Sequence, residues 1–526
     1  MTRPPVPLVP VAWLVLASAP APANATGFTD IGQDIVPRTE TAVDVDGALR
    51  LRGQVLYNLD LDRGFGPSGE PLFPVPVSDP AAQAIAFADM RLRTDLRVYP
   101  PFGGLAVKVR FDLLDDLVLG STPEGVPAAS TRQASPPAVL RLERAYGEAL
   151  TPLGILAAGR MGSHWGLGIA SNGGDCADCD RGDSADRIAF ITPIAGLLWA
   201  AAWDFSATGP VARSRSGRAI DIEPADDVRT VTFAALRWRD DLARARRRHA
   251  GKATFEYGAY ASFRWQDREI AAATLAVSHP TPIDRAQVVA RGYHATAAGG
   301  WARLTLPGLR IEVEPAVVLA RVDQPSLIPG VLMRGGVTST QIGAALESEI
   351  GRPESAFGAG LDAGFASGDP AYGFGAFPRS GERPPLEGDL DGPQAMPPFD
   401  DRIDNFRFHP DYRVDRILFR EIIGAVTDAI YVRPHVRWRA PRIGSGELVA
   451  SLAAIGSLAV EARSTPGGRQ PLGIELDPTL VYQSRDGFAI AAEYAVLFPL
   501  AGLDNPERDL AARPAQLARL RLGYVY

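Results

Sequence analysis

The sequence predicts an all-β chain, a transmembrane antiparallel β-barrel of about eighteen strands. Three observations predict it. The last ten residues alternate: Tyr526, Tyr524, Leu522, Leu520 and Ala518 share one parity, and Val525, Gly523, Arg521, Arg519 and Leu517 the other. Side chains point to opposite faces along a strand, so this one has an apolar, aromatic-ended face and a face with two arginines. The N-terminus has a single early charge, Arg3, an apolar run from Val6 to Ala17, and small residues at Ala23-Asn24-Ala25, which is the pattern of a secretory signal over residues 1–25. Between the two ends, segments of about ten alternating residues recur with Gly- and Pro-rich breaks, as tilted membrane strands do.

In chain order, residues 26–46 show little periodicity and read as a periplasmic lead-in to a barrel over 47–526. Leu49, Leu51, Val55, Tyr57, Leu59 and Leu61 then oppose Arg50, Arg52, Gln54, Asn58 and Asp60. Met90, Leu92, Leu96 and Val98 oppose Asp89, Arg91, Arg93, Asp95 and Arg97. A Pro100-Pro101-Phe102-Gly103 turn leads to Leu105, Val107, Val109, Phe111 and Leu113, against Lys108, Arg110 and Asp112. Further strands are expected near 138–149, 154–163, 187–193, 196–207, 228–239, 255–265, 288–306, 309–322, 338–350, 356–367, 428–439, 447–463, 472–483 and 488–500.

Short turns alternate with long outer loops at 116–137, 164–186, 208–226, 267–287, 323–337 and 367–427. One connection breaks the rhythm: 240–252, with Arg246-Arg247-Arg248, is long where a short turn is due. Counting 414–426 as a strand would give an odd number and break the alternation, so the whole of 367–427 reads as one loop. Both termini are then periplasmic. Trp238, Trp438, Tyr524 and Tyr526 at periplasmic strand ends, with Trp265 and Phe498 at outer ends, are expected on the lipid face as aromatic girdles.

Composition bounds the function. With 54 basic and 61 acidic residues the net charge is -7, so nucleic acid is not an expected partner. The 53 Gly and 45 Pro favour turns over long helices. A mean hydropathy near zero suits strands with one lipid face and one wet face. Expected partners are outer-membrane lipid and lipopolysaccharide, the barrel-assembly machinery that reads a terminal aromatic such as Tyr526 or Tyr524, and a small or polymeric hydrophilic solute.

Eighteen strands enclose a lumen wide enough for water unless loops fill it. Its wall carries Arg50, Arg52, Arg91, Arg93, Arg97, Lys108, Arg110, Arg141, Arg264, Arg433, Arg437 and Arg439, together with Asp60, Asp89, Asp95, Asp112, Glu143, Glu256, Glu312, Glu314, Glu475, Asp477 and Glu493. Two readings stand: charges paired across neighbouring strands, or an arginine ladder that guides anions. The functional expectation is a passive channel, a porin or exporter in the outer membrane of a Gram-negative bacterium. The alternative is a structural or adhesive barrel plugged by its own loops, with 367–427 long enough to enter the lumen. An enzyme is not expected. The six histidines lie in no nucleophile motif, and Ser163 and His164, as strand neighbours, point to opposite faces, which argues against a hydrolase.

The densest constellation is Gly173 to Asp183. Cys176 and Cys179 are expected to form a small disulfide in an outward-facing loop, since that compartment lacks reductant. Asp175, Asp178, Asp180 and Asp183 converge around it and offer hard oxygen ligands for Ca²⁺, the one cofactor the sequence suggests; the spacing is not that of an EF-hand.

Several motifs together resemble a family of outer-membrane proteins from myxobacteria and their relatives, and at greater distance the alginate-export porins. They are Leu142-Glu143-Arg144-Ala145-Tyr146, Gly159-Arg160-Met161-Gly162 running to Trp165-Gly166-Leu167-Gly168, Gly364-Phe365-Ala366-Ser367-Gly368-Asp369, and Asn405 to Asp415. The resemblance covers most of the mature chain and implies an eighteen-stranded barrel that exports or admits solute. The alginate conduit is lined by arginines; here acidic residues nearly balance them, and no binding residue carries over.

Overall fold

A computed structural model describes residues 28–32, 38–76, 79, 83–101, 103–119, 140–270, 288–326, 330–374, 386–390, 395, 397 and 400–526. The proposed signal segment, Phe102, most of the 116–137 and 267–287 loops and parts of 323–337 and 367–427 lie outside the described residues.

The alternating segments form β1 (Ala42–Tyr57), β2 (Ala84–Tyr99), β3 (Leu105–Val118), β4 (Leu140–Thr151), β5 (Gly154–Gly162), β6 (Ser184–Ile194), β7 (Leu197–Ala207), β8 (Val228–Arg237) and β9 (Thr254–Gln266). They continue with β10 (Tyr293–Leu306), β11 (Leu309–Val322), β12 (Val337–Ile350), β13 (Phe357–Ala366), β14 (Ala429–Arg439), β15 (Gly446–Ala459), β16 (Pro471–Ser484), β17 (Phe488–Pro499) and β18 (Ala515–Val525). All eighteen belong to one sheet, each antiparallel to its neighbours in sequence. The sheet closes between β18 and β1, in register from Ala48↔Val525 to Tyr57↔Gln516. Closure leaves no strand edge with unpaired backbone groups, which a hydrocarbon surrounding would not tolerate.

Parity sorts the two faces. On β1, Val43, Val45, Leu49, Val55 and Tyr57 are exposed on the outside, while Arg50, Arg52, Gln54 and Leu56 are buried inside. Ile188, Trp199, Trp203, Phe205, Phe233, Phe255 and Phe263 continue the apolar exterior. This is a soluble protein turned inside out, with charge in the interior and hydrocarbon-compatible side chains facing out. Trp438, Tyr524, Tyr526 and Phe498 lie on that outer face as expected. Trp238 does not. It follows β8 on the inward parity and packs against an interior apolar cluster.

The interior is largely filled. Phe406, Phe408, Val414, Ile417, Leu418, Phe419, Ile422 and Ile423, all from the long connection before β14, are buried against Ala345, Ala366, Ala429, Ala453, Ala459 and Ala495 of the wall. Small residues there leave the volume that the larger ones occupy, and burying each large apolar side chain contributes about 1.5–3 kcal/mol. A second cluster joins Phe28 and Ile31 to Met161, Trp165, Trp301 and wall alanines. The lead-in around residues 28–32 is therefore inside the barrel rather than free in the periplasm, with the Gly32 N–H donating to Glu148 at 3.0 Å.

Three sequence expectations need correction. β1 ends at Tyr57 rather than running to Leu61; Asn58 and Leu61 adopt positive φ, which breaks the ladder. Leu59 and Leu61 then turn into the interior cluster. β1 also begins at Ala42, within the span read as lead-in. Finally, 58–83, 460–470 and 500–514 are further long connections at the same end as the others, so that end has more loop than the sequence reading gave it. The irregular turn at 240–252 is a helix, α1 (Asp241–His249), whose Asp240 cap accepts from the Ala243 N–H at 2.6 Å. Among the described residues no helix is long and apolar enough to cross a membrane.

Candidate functional site

β1, β2 and β3 place their cations in consecutive inward positions, and register decides what each meets. Arg52 stands opposite Asp89, Arg93 opposite Asp112, and Arg110 opposite Asp95. Those pairs are made at 3.0, 2.8 and 2.8 Å. Arg97 pairs with Asp46 at 2.6 Å and Lys108 with Glu148 at 2.9 Å. Arg50 is bound by Asp116 and, at 2.9 Å, by Asp180. Arg91 faces Arg50 in register and donates instead to the Cys179 carbonyl. On the far wall Arg433 pairs with Asp362, Arg437 with Glu349 and Arg439 with Glu447, at 2.6, 2.9 and 2.8 Å. Arg264 donates to Thr230 Oγ1 at 2.9 Å. The wall is thus largely a lattice of cross-strand pairs, and the predicted cations are divided between β1–β3 and β14, with Arg264 apart on β9.

The loop of residues 163–183 enters the lumen instead of standing outside. Its Cys176–Cys179 disulfide, with Cα atoms 5.1 Å apart, closes a turn laid against β1 and β2. Arg93 holds the loop through the Gly174 carbonyl at 2.6 Å, as Arg91 does through that of Cys179. The four loop aspartates do not share one set of partners. Asp175 meets Arg110 and Arg144, Asp183 accepts from the Asn172 N–H at 3.1 Å, and Asp178 and Asp180 meet a cluster of arginines. Around Asp178 stand Arg413, Arg420, Arg52, Arg521, Arg519 and Arg50, at 2.8 to 3.8 Å. Burial pulls its carboxyl upward, but Arg420, Arg413, Arg521 and Arg519 outweigh that and hold it well below the usual range. Asp180 is likewise depressed, burial being overcome by Arg413, Arg52 and Arg50. The positive charge that the sequence reading assigned to Ca²⁺ is supplied here by guanidinium groups, and these carboxylates do not form a common cation cradle.

Two wall carboxylates fasten the inner loops. Glu475 on β16 accepts backbone N–H groups from Arg416, Ile417 and Leu418 at 2.9, 2.9 and 3.1 Å. Glu314 on β11 accepts from Gly168 at 2.9 Å. His164 Nδ1 accepts from the Gly173 N–H at 3.2 Å, within the same loop.

Cavities remain along the β1–β4 sector. One of about 470 Å³ is lined by Arg52, Arg141, Arg181, Arg413, Arg420 and Arg519 with Asp115, Asp116, Asp180, Asp411 and Glu421. Another, of about 350 Å³, is lined by Arg97, Lys108, Arg110 and Arg144 with Asp30, Asp95 and Asp175. The disulfide-closed turn stands between them, giving Asp180 to the first and Asp175 to the second. In both, cations outnumber carboxylates by one. A third, of about 510 Å³, lies toward the long-loop end with Arg63, Glu70, Asp389 and Glu421. Arg413, Arg420, Arg519, Arg521 and Arg181 were not among the predicted path residues. Arg519 and Arg521 were readable from the polar face of the closing strand, whereas Arg413 and Arg420 sit in an aperiodic loop where parity says nothing.

No protein-family model matches the chain, and no curated protein matches it. Solved structures do. OccK9 (OpdG) of Pseudomonas aeruginosa is similar at 14% identity and TM-score 0.46, over 92% of this chain and 98% of that one. The outer membrane protein OpdK of the same species is similar at 11% and 0.44, over 92% and 98%. An anion-selective porin from Comamonas acidovorans is similar at 8% and 0.38, over 93% and 100%.

Proposed function

We propose that this chain is an outer-membrane channel that passes hydrophilic, anionic solutes along the β1–β4 sector of its lumen. The observation that carries the reading is the pair of cavities on either side of the Cys176–Cys179 turn, each with one cation in excess. An apolar exterior and a charged interior support a membrane setting. The inner loops narrow the path to pockets suited to small ions rather than to an extended polymer, so an alginate-like cargo is the less favoured form of the same idea. Most wall arginines are neutralised by partners, and the preference for anions is accordingly modest.

Arg181 offers the cleanest test. It lines the larger cavity, and its side chain has no ion-pair partner among the described residues. Single-channel recording in planar bilayers should give an anion-selective conductance, and Arg181→Glu should lower the anion-to-cation permeability ratio without breaking a pair. A cation-selective wild type would refute the proposal.

The interior apolar cluster favours a second reading, a barrel closed by its own 400–427 segment. A wild type silent in bilayers that conducts only after this segment is removed would establish that reading instead.

A further inference from the structure

Outside the lumen, at the long-loop end, residues 208–227 join β7 to β8 and contain a two-stranded ribbon, Val211–Arg213 with Ala219–Asp221. Its return places Asp221, Asp226 and Asp227 together, with carboxylate oxygens all within 4.8 Å of one another. An acidic cluster alone means little, since exposed carboxylates gather often. Asp226 is different. It is 1% exposed, and neither of its carboxylate oxygens has a hydrogen-bond partner.

Leaving a buried carboxylate without donors is costly, and placing it among like charges costs more. Its backbone, by contrast, is well used: its N–H donates to Glu223 and its carbonyl accepts from Gln266 at 2.8 Å, so the turn is held in place by contacts that do not involve the side chain. The carboxylate packs on Gly209, where a β-carbon would fall 2.2 Å from Oδ2, so only glycine admits it there. Nearby cations are committed elsewhere. Arg229 takes Asp227 at 3.0 Å and the Pro224 carbonyl, and Arg268 reaches Glu223 at 3.6 Å. Asp227 accepts from Arg229 and Asp221 from the Glu223 N–H at 3.0 Å, each through one oxygen, but both oxygens of the buried Asp226 lack a donor. A buried carboxylate so left, beside two further negative charges, is what a hard divalent cation requires, with solvent completing its shell.

We infer that Asp221, Asp226 and Asp227 form a Ca²⁺ site that fastens the 208–227 loop to the rim of the barrel. The ion supplies the positive charge that the protein withholds from Asp226, and it draws the ribbon, the Asp226 turn and the base of β8 onto one centre. The other close acidic group, Asp112, Asp115 and Glu143, makes a useful control because Arg93 and Arg141 already neutralise it.

The test uses full-length protein refolded in detergent free of lipopolysaccharide, stripped with chelator, and titrated with Ca²⁺ in a calorimeter and with Tb³⁺ by luminescence. Heat-modifiable gel migration verifies that each variant is folded. The expected result is one saturable Ca²⁺ per chain, weakened at least tenfold in Asp226→Asn and in Asp221→Asn and unchanged in Asp115→Asn. Ca²⁺ should also slow proteolysis within 208–227 in the wild type and in Asp115→Asn, but not in Asp226→Asn or Asp221→Asn. Absence of saturable binding, or variants at 226 and 221 that bind as the wild type does, would overturn the assignment.

Discussion

Asp178 shows how this lumen treats charge. Six guanidinium groups lie within 3.8 Å of it, drawn from β1, β18 and the 413–420 segment. Removing one member of a buried charge network costs about 3–5 kcal/mol, because the partners are left uncompensated. Asp178→Asn should therefore lower stability by several kcal/mol on that scale, measured by urea unfolding, while raising anion selectivity. Its depressed carboxyl contributes stability that is present above the unfolded value of about 3.9 and is lost only as pH falls through the lower folded value. Docking of this loop should hold from pH 7 to pH 4, read as unchanged hydrogen exchange once intrinsic rates are corrected. Asp428 behaves oppositely. Burial, with the Glu461 charge, pushes it up to about 7 although it accepts from Ser464 and from the Glu461 N–H at 2.9 Å. A raised carboxyl stabilises the fold fully below its unfolded value and loses that contribution as pH rises through the folded one. Protection of the 460–470 connection should accordingly fall between pH 5 and 8, and Asp428→Asn should abolish the change.

At the scale of elements, strands and loops were legible to different degrees. The strands follow from two solvents: a residue facing lipid and its neighbour facing a charged lumen must alternate, so parity marks the strands and the side of the wall arginines, and the even-number rule that excludes 414–426 completes the count of eighteen. Nothing periodic marks a loop that folds inward. The Gly173–Asp183 stretch reads as a solvated outer loop because its aspartates are polar; only the arginines of β1 and β18, far away in sequence, make the lumen its better solvent. The same holds for 413–422, whose buried Ile417, Leu418 and Phe419 resemble a strand in composition. Glu475 fixes that segment by accepting three of its N–H groups. Glu475→Ala would strand those donors at about 1–3 kcal/mol each. Faster exchange at Ile417 and Leu418, with no change in the strand amides of β16, is the expected signature; equal exchange in both proteins would show that apolar packing alone seats the segment.

For the whole molecule, the fold makes a definite prediction about sidedness. Both strand-bearing chain ends, Ala42 and Val525, lie at the end of the barrel that carries the short turns and the α1 connection, while the other long connections lie at the opposite end. Barrels of this kind keep short turns in the periplasm and present long loops outside. Leu153, in the β4–β5 turn, is 78% exposed, and Leu332, in the connection before β12, is 77% exposed, so a cysteine at either place is open to reagent without disturbing the interior. The native cysteines are joined to each other and leave no free thiol as background. A membrane-impermeant maleimide applied to intact cells should label Leu332→Cys and spare Leu153→Cys until the outer membrane is permeabilised. The reverse pattern would invert the barrel. That inversion would put the 510 Å³ cavity with its acidic lining, and the carboxylates of residues 221–227, on the periplasmic side, and anions entering from outside would meet the Lys108–Arg110 cavity first.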